Sequence, residues 1–331
     1  MKNLLTDITG VRVGHAEDAK AASGTTAIIF DSPAIAAIDV RGGAPGTRED
    51  ALLDLASTQE RIDAIALSGG SAFGIEAGGG VQAWLAEQGR GLNIRGAVIP
   101  LVPGAIMFDL LNGGDKGWGR FAPYRELGYA AAVAAGHDFA LGSAGAGLGA
   151  TTATFKGGLG SASAVLANGI KVAAIMVVNA VGSVTVGDGP WFWAAPFEEN
   201  GEFGGRGLPP TFTPDMLAMR IKGGPAASAR ENTTIGAVIT DAVLTKPQAK
   251  RLAMIAHTGM ARAIYPVHAP TDGDVLFAAA TCEKPIEPLV GLTELGTVAA
   301  NVVARAIARG VYGASALPFP GALPAWKDRF G

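Results

Sequence analysis

The sequence predicts a layered α/β protein, with sheets inside and helices outside. Three observations carry that expectation. Short apolar runs recur along the chain, each bounded by Gly, Asp or Asn, as strands are. These runs are rich in Val, Ile and Ala with few polar residues, the composition of strands covered on both faces. Between them lie longer stretches whose apolar residues recur at helical spacing.

In chain order, TTAIIF (25–30), AAIDVRG (36–42) and DAIALSG (63–69) read as strands. FGIEAGGGVQAWLAEQ (73–88) follows a Gly-Gly-Ser turn and reads as a helix. KVAAIMVVNAVGSVTVG (171–187) is a long strand-like stretch. A segment rich in Pro and Gly (188–216) then breaks the pattern, and 218–231 reads as a surface loop leading to Asn232. TTIGAVITDA (233–242) is a strand. TKPQAKRLAMIAHTGMARAIY (245–265) is a helix, with Thr245 as N-cap and Pro247 in its first turn. Its Leu252, Ile255, Ala256, Gly259, Met260 and Ala263 share one face. GDVLFAAATC (273–282) is a strand. LTELGTVAANVVARAIARG (292–310) is a second amphipathic helix through Leu295, Val298, Val302 and Ile307, with Gly310 as its stop. The Pro-rich tail 316–331 is expected to pack along a surface or a neighbour. No internal repeat is visible.

Bulk composition narrows the function classes. The chain has 331 residues, enough for a large core, and 49% are hydrophobic against 17% charged, so it is not a disordered chain. Gly is abundant, 48 residues without a period, which points to many tight turns and close backbone approaches rather than collagen. Net charge is −3 and no basic stripe occurs, so no nucleic-acid partner is expected. The lone Cys282 excludes an internal disulfide and a Cys-based zinc site. The start, MKNLLTDITGVRVGH, has no apolar signal region, and Gly, Asp or Lys break the apolar segments. A cytoplasmic location without a membrane partner is the expectation.

The stretch AREN-TT (229–234) raises the main chemical question. Asn232-Thr233 can be a plain loop-to-strand junction. It also matches the N-glycosylation sequon, a reading weakened by the missing signal region. The third reading is that the bond breaks. A threonine hydroxyl is a poor nucleophile without a base, and a threonine at a new N-terminus brings its own, an α-amine of pKa about 7.7–8.0. Asp272 and Asp274 flank Gly273 at a strand start: either a simple turn, or two carboxylates that hold one hydroxyl and amine. A calcium loop would need more oxygen ligands. Lys156 precedes a Gly-rich turn that is not a phosphate loop, and GAGLGA (145–150) is not a dinucleotide fingerprint. Lys156 is then either a solvated loop residue or a buried cation supporting developing charge. Asn179, in an apolar strand, needs hydrogen-bond partners if buried; it either caps a strand end or donates to an oxyanion. His15, His137, His257 and His268 have no metal-ligand spacing, and His257 reads as structural; Glu76 decorates a helix.

Six segments nevertheless occur together and in order: 5–15, 24–30, DVRGGAPGTRE (39–49), LSGGSAFGIEAGGGV (67–81), KGGLGSAS (156–163) and the run 231–264 that begins ENTTIGAV. With them the chain resembles the autoprocessing β-peptidyl aminopeptidase family, which includes the L-aminopeptidase/D-amidase-esterases and the nylon-oligomer hydrolases. The resemblance covers nearly the whole chain. It implies a four-layer α/β/β/α sandwich like that of N-terminal-nucleophile hydrolases, with different connectivity. It implies one domain, 1–331, that cuts itself at Asn232-Thr233 into 1–232 and 233–331, with Thr233 as nucleophile. Asp272 and Asp274 match the D-G-D of the nylon-oligomer branch, where the aminopeptidases carry Ser and Glu. Lys156 and Asn179 match that branch as well, with Asn179 expected near the oxyanion. Phe108 stands where both branches have a tyrosine that donates a hydrogen bond, which Phe cannot do. Ile106 stands where the aminopeptidases keep a glutamate for the substrate amine, so Phe108 and Ile106 are candidate pocket residues. The expected activity is hydrolysis of small amide or peptide substrates with no strong need for a charged N-terminus, no metal and no cofactor, in a homo-oligomer of four subunits or more. The rivals are an acyltransferase like ornithine acetyltransferase, using the same Thr, and a non-catalytic assembly protein on this fold.

Overall fold

The computed structural model of the chain describes residues 1–223 and 232–331. Its strands are β1 (Val11–Asp18), β2 (Ser23–Val40), β3 (Thr47–Arg48), β4 (Arg61–Ser68), β5 (Leu92–Ile94), β6 (Ala97–Ile99), β7 (Gly104–Ile106), β8 (Gly158–Val165), β9 (Lys171–Asn179), β10 (Thr233–Ala242) and β11 (Val275–Lys284). Its helices are α1 (Ala77–Glu87), α2 (Tyr124–Val133), α3 (Lys246–Ala261), α4 (Val290–Tyr312) and the short α5 (Trp326–Phe330).

The runs 25–30 and 36–42, expected as two strands, are one. β2 continues through both, exposing only Asp31, Ser32, Pro33 and its last residue, Val40. Its first half pairs with β1 and β4, and its second half with β11. The main sheet therefore runs β3-β7-β4-β2-β11-β10-β9-β8, with β1 also on β2. Through β2 the sheet folds over on itself.

Side-chain alternation then makes four layers. Ile28 and Phe30 of β2 and Ile65 and Leu67 of β4 meet Ile175, Val177, Ile235, Ile239 and Phe277 in one apolar cluster between the two halves. The opposite faces carry helices. Val172, Ala174, Val178, Val238 and Ala278 pack on α3 and α4 through Leu252, Met260, Leu295, Val302 and Ile307. Ala27, Ile29, Ala64 and Ala66 pack on α1 and α2 through Val81, Leu85 and Ala131. Each fully buried Ile, Leu or Phe in these layers contributes about 1.5–3 kcal/mol. The expected α/β/β/α order is the one found.

Local signals fared unevenly. The Thr245 hydroxyl caps α3 by accepting from Gln248 N (3.4 Å). Gly310 does not stop its helix, because α4 runs on to Tyr312. It is a packing glycine instead: a Cβ there would lie 2.8 Å from Gly160 N, and a Cβ on Gly160 would lie 1.9 Å from Ala306 O. The pair lets α4 lie directly on β8. The run 171–187 ends as a strand at Asn179, and Ser183 and Thr185 form isolated bridges with Tyr265 and Phe192. The helix expected over 73–88 begins as a 3-10 turn, Ser71–Glu76, before α1. β1, β8 and α2 gave no clear pattern, being rich in Gly, Ala and polar residues. The tail packs on its own chain, with Trp326 buried against Phe192, Tyr312 and Phe330. α4 has the length and hydropathy of a membrane span, yet 67% of that window is buried, so core packing accounts for its composition. Of the loop read over 218–231, residues 224–231 lie outside the described residues.

Candidate active site

Register brings the first two candidates together. β9 and β10 are antiparallel, with Asn179 opposite Thr233. Both follow the parity of Val177 and Ile235, so both face the space between the two sheet halves. β11 runs parallel to β10, and Asn232 bridges to Asp272 just before the strands begin. The D-G-D segment thus lies beside the Asn232-Thr233 bond.

Gly273 explains part of that segment. Its N–H donates to the Asn232 carbonyl at 3.1 Å. A Cβ on it would sit 2.7 Å from Thr233 Oγ1, so only glycine leaves the hydroxyl its place. The Thr233 hydroxyl is buried and donates to the same Asn232 carbonyl. Residues 41–44 strap the D-G-D segment from outside. Arg41 N and Gly42 N donate to Asp274 O (3.0 and 3.2 Å), and Ala44 N to Asp272 O (2.7 Å). A Cβ on Gly42 would fall 2.3 Å from Asp274 N, which accounts for a glycine there.

The two aspartates are bonded unequally. Asp274 Oδ1 accepts from Thr234 N (2.7 Å), and its Oδ2 accepts from His268 N (3.2 Å) and His268 Nδ1 (2.8 Å). Asp272 Oδ2 accepts from Ala269 N (3.1 Å), while its Oδ1 is buried without a partner among the described residues. Burial, then the charge of Asp274, pushes the Asp272 pKa up to about 7. A carboxyl poised there exchanges protons near neutrality.

Asn179 is fully buried. Its Oδ1 accepts from Thr151 N (3.0 Å) and Lys222 Nζ (2.9 Å), and its Nδ2 donates to Phe108 O (2.9 Å). Lys156 is not a solvated loop residue. It is buried, its Nζ donates to Gly147 O (2.9 Å) and Gly157 O (2.8 Å), and burial pushes its pKa down to about 7. Lys156 and Phe108 line a cavity of about 470 Å³ together with Asp109, Thr151, Lys222 and Leu317. Thr151 and Lys222 join this cavity to Asn179. Thr233 is not among the residues that line it. Ile106 does not line it either: it is buried in β7 against Gly46 and Gly74. The pocket expected from both residues therefore keeps Phe108 and loses Ile106: strand alternation would put residues two apart on one side, but β7 ends at Ile106 and Phe108 lies beyond it. Among the described residues no group of three or more His, Cys, Asp or Glu is placed to hold a metal.

Sequence reasoning missed His268, Lys222, Thr151 and the strap at 41–44. For His268 the signal was its position four residues before Asp272; spacing for a metal was the wrong question. For the strap it was the Gly42-Gly43 pair.

Residues 3–321 match the model of peptidase family S58. The chain belongs to that family. It is 40% identical to an uncharacterized aminopeptidase of Mycobacterium bovis, over 99% of this chain and 98% of that relative. It is 30% identical to a 6-aminohexanoate-oligomer endohydrolase of Paenarthrobacter ureafaciens, over 91% of this chain and 84% of that relative. Its fold is similar to that of the L-aminopeptidase D-Ala-esterase/amidase of Ochrobactrum anthropi, described as a variant among the Ntn hydrolase fold. The TM-score is 0.69 at 19% identity, covering 98% of this chain and 90% of that one. This S58 peptidase is a hydrolase acting on amide bonds. In the S58 chain Asn179 and Thr233 pair across β9 and β10, the D-G-D segment lies beside them, and the cavity adjoins Asn179 through Thr151 and Lys222.

Proposed function

We propose that the chain is a self-activating N-terminal threonine amidohydrolase. One observation carries the reading: the Thr233 hydroxyl lies on the Asn232 carbonyl, and the Gly273 N–H donates to that same oxygen. In the uncut chain Thr233 Oγ attacks the Asn232 carbonyl carbon. An O–C bond forms, and negative charge develops on the oxygen that Gly273 N–H already holds. Asp272 takes the hydroxyl proton through its open Oδ1 and returns it to the leaving nitrogen as the C–N bond breaks. The product is an ester between Thr233 Oγ and Asn232. Water hydrolyses that ester to an Asn232 carboxylate and a free Thr233 hydroxyl and α-amine, giving 1–232 and 233–331.

Catalysis then reuses the hydroxyl. The new α-amine takes its proton as Oγ attacks a substrate amide, and the amine half of the substrate leaves with that proton. Asn179 and backbone N–H groups stabilise the oxyanion, and Lys156 supports the developing charge from the cavity wall. Asp274 and Asp272 orient the nucleophile. Water releases the acyl group. The cavity beside Asn179 suits small amides, and the similarity to an aminopeptidase and to a 6-aminohexanoate-oligomer endohydrolase supports linear amide substrates. The apolar Phe108 on the cavity wall favours substrates without an obligatory charged amine. A cytoplasmic homo-oligomer is the setting proposed.

Denaturing electrophoresis with mass spectrometry tests the reading. Two fragments are expected, one beginning at Thr233. A chain still intact after long incubation sinks it. A panel of α-, β- and ω-aminoacyl and plain acyl p-nitroanilides then defines the acyl group.

A further inference from the structure

Neither His257 nor His268 has a part in the chemistry above, yet both are built into its support. His268 has φ 57°, a left-handed conformation that non-glycine residues seldom adopt. That conformation puts its backbone N–H and its ring Nδ1 on one oxygen, Asp274 Oδ2, at 3.2 and 2.8 Å. The other oxygen of Asp274 holds the Thr234 amide at 2.7 Å, one residue beyond the nucleophile. Behind His268 stands His257, edge-on, with ring centroids 4.8 Å apart and planes at 80°. His257 is buried on α3 and bonds through Nδ1 to Asp39 Oδ2 (3.0 Å). Asp39 is fixed in turn by Arg41 (2.7 Å) and Lys250 (3.2 Å). Burial lowers the His257 pKa, so a neutral ring donates its Nδ1–H to Asp39. Its Nε2 has no partner among the described residues. The contacts run unbroken from Asp39 through His257, His268 and Asp274 to the backbone at Thr234.

We infer that His268 is a positioning residue: its ring N–H fixes the Asp274 carboxylate, Asp274 fixes the Thr234 amide, and the Thr233 hydroxyl is thereby aimed at the carbonyl it attacks. His257, held by Asp39, is the wedge that keeps the His268 ring from turning away. The inference rests on the Thr233 reading for its effect on rate, but not for its effect on the strand start. Asp272 is left as the carboxylate with an open oxygen, so the D-G-D segment has one anchored and one exchanging member.

The test compares His268→Gly with His268→Asn. Both tolerate the left-handed backbone, so neither is strained. Both keep the backbone N–H on Asp274, but only Asn restores a side-chain donor near the place of Nδ1. His268→Gly is expected to slow release of the 233–331 fragment and to lower kcat by roughly 10–100-fold, as displacements below 1 Å do at a reacting atom. His268→Asn is expected to recover most of both. In a second arm, on the uncut Thr233→Ala background, hydrogen exchange at the Thr234 amide is expected to speed up about tenfold or more with His268→Gly and to slow again with His268→Asn. Unchanged exchange at Thr234 in His268→Gly overturns the inference. So does a His268→Asn protein that folds yet stays as impaired as His268→Gly. If the wild-type chain never cuts, the Thr233 reading falls, and the exchange arm still decides for or against His268.

Discussion

Gly273→Ala is the smallest change that tests how Thr233 is held. The added Cβ would stand 2.7 Å from Thr233 Oγ1, 2.9 Å from Ala44 O and 3.1 Å from Thr233 Cγ2. Carbon–oxygen contacts ordinarily begin near ~3.3 Å, so Oγ1 must retreat by about 0.6 Å or the strap at Ala44 must open. The backbone at Gly273 is outside the left-handed region, so alanine adds no backbone strain, only crowding. Overpacking of this kind costs about 1–3 kcal/mol, a loss of a few degrees in melting temperature. The effect on rate is larger in proportion. A misplacement of ~1 Å costs about 100-fold, so self-cleavage should slow by roughly 10–100-fold. The assay is a time course of the 233–331 fragment on denaturing gels, beside a thermal melt. Gly79→Ala is the control, since a Cβ there meets nothing within 4 Å. A Gly273→Ala protein that cuts at the wild-type rate would show that Thr233 does not rest against Gly273 when it reacts, and would refute Gly273 as the residue that seats the hydroxyl.

Thr233→Ala should leave a single chain of 33.4 kDa on denaturing gels, whereas Thr233→Ser, which keeps a hydroxyl, should still be cut. Asn179→Ala should lower kcat by about 10²–10³ with a smaller change in KM, the loss expected for one oxyanion donor; an unchanged kcat removes Asn179 from that role. Self-cleavage should rise about tenfold per pH unit as Asp272 ionises and level off above about 7, and Asp272→Asn should abolish that limb. Stability should move the other way. The folded pKa of Asp272 is raised, so its contribution is full below the unfolded value near ~3.9 and is lost as pH rises through about 7. The uncut Thr233→Ala chain should therefore melt lower at pH 7.5 than at pH 5 by a margin that Asp272→Asn reduces.

Periodicity alone located most of the framework. The alternation in 233–242 and the helical spacing in 245–265 reflect which face of each segment is buried, and burial is written residue by residue. The Asn232-Thr233 junction, and the oddity of two aspartates around one glycine, were legible for the same reason: they are properties of adjacent residues. What lay beyond the sequence is whatever depends on register between distant segments. That β2 is one bent strand, that Gly310 meets Gly160 rather than ending a helix, and that Ile106 turns away from the cavity are facts of packing. Asn179 faces Thr233 because β9 and β10 pair in one register, and a slip of β9 by one residue would turn Asn179 to the helix layer and away from Thr233. The unequal bonding of Asp272 and Asp274 has the same origin. His268 reaches only one of them, and the burial that raises the pKa of the other exists only once the sheet has closed over it.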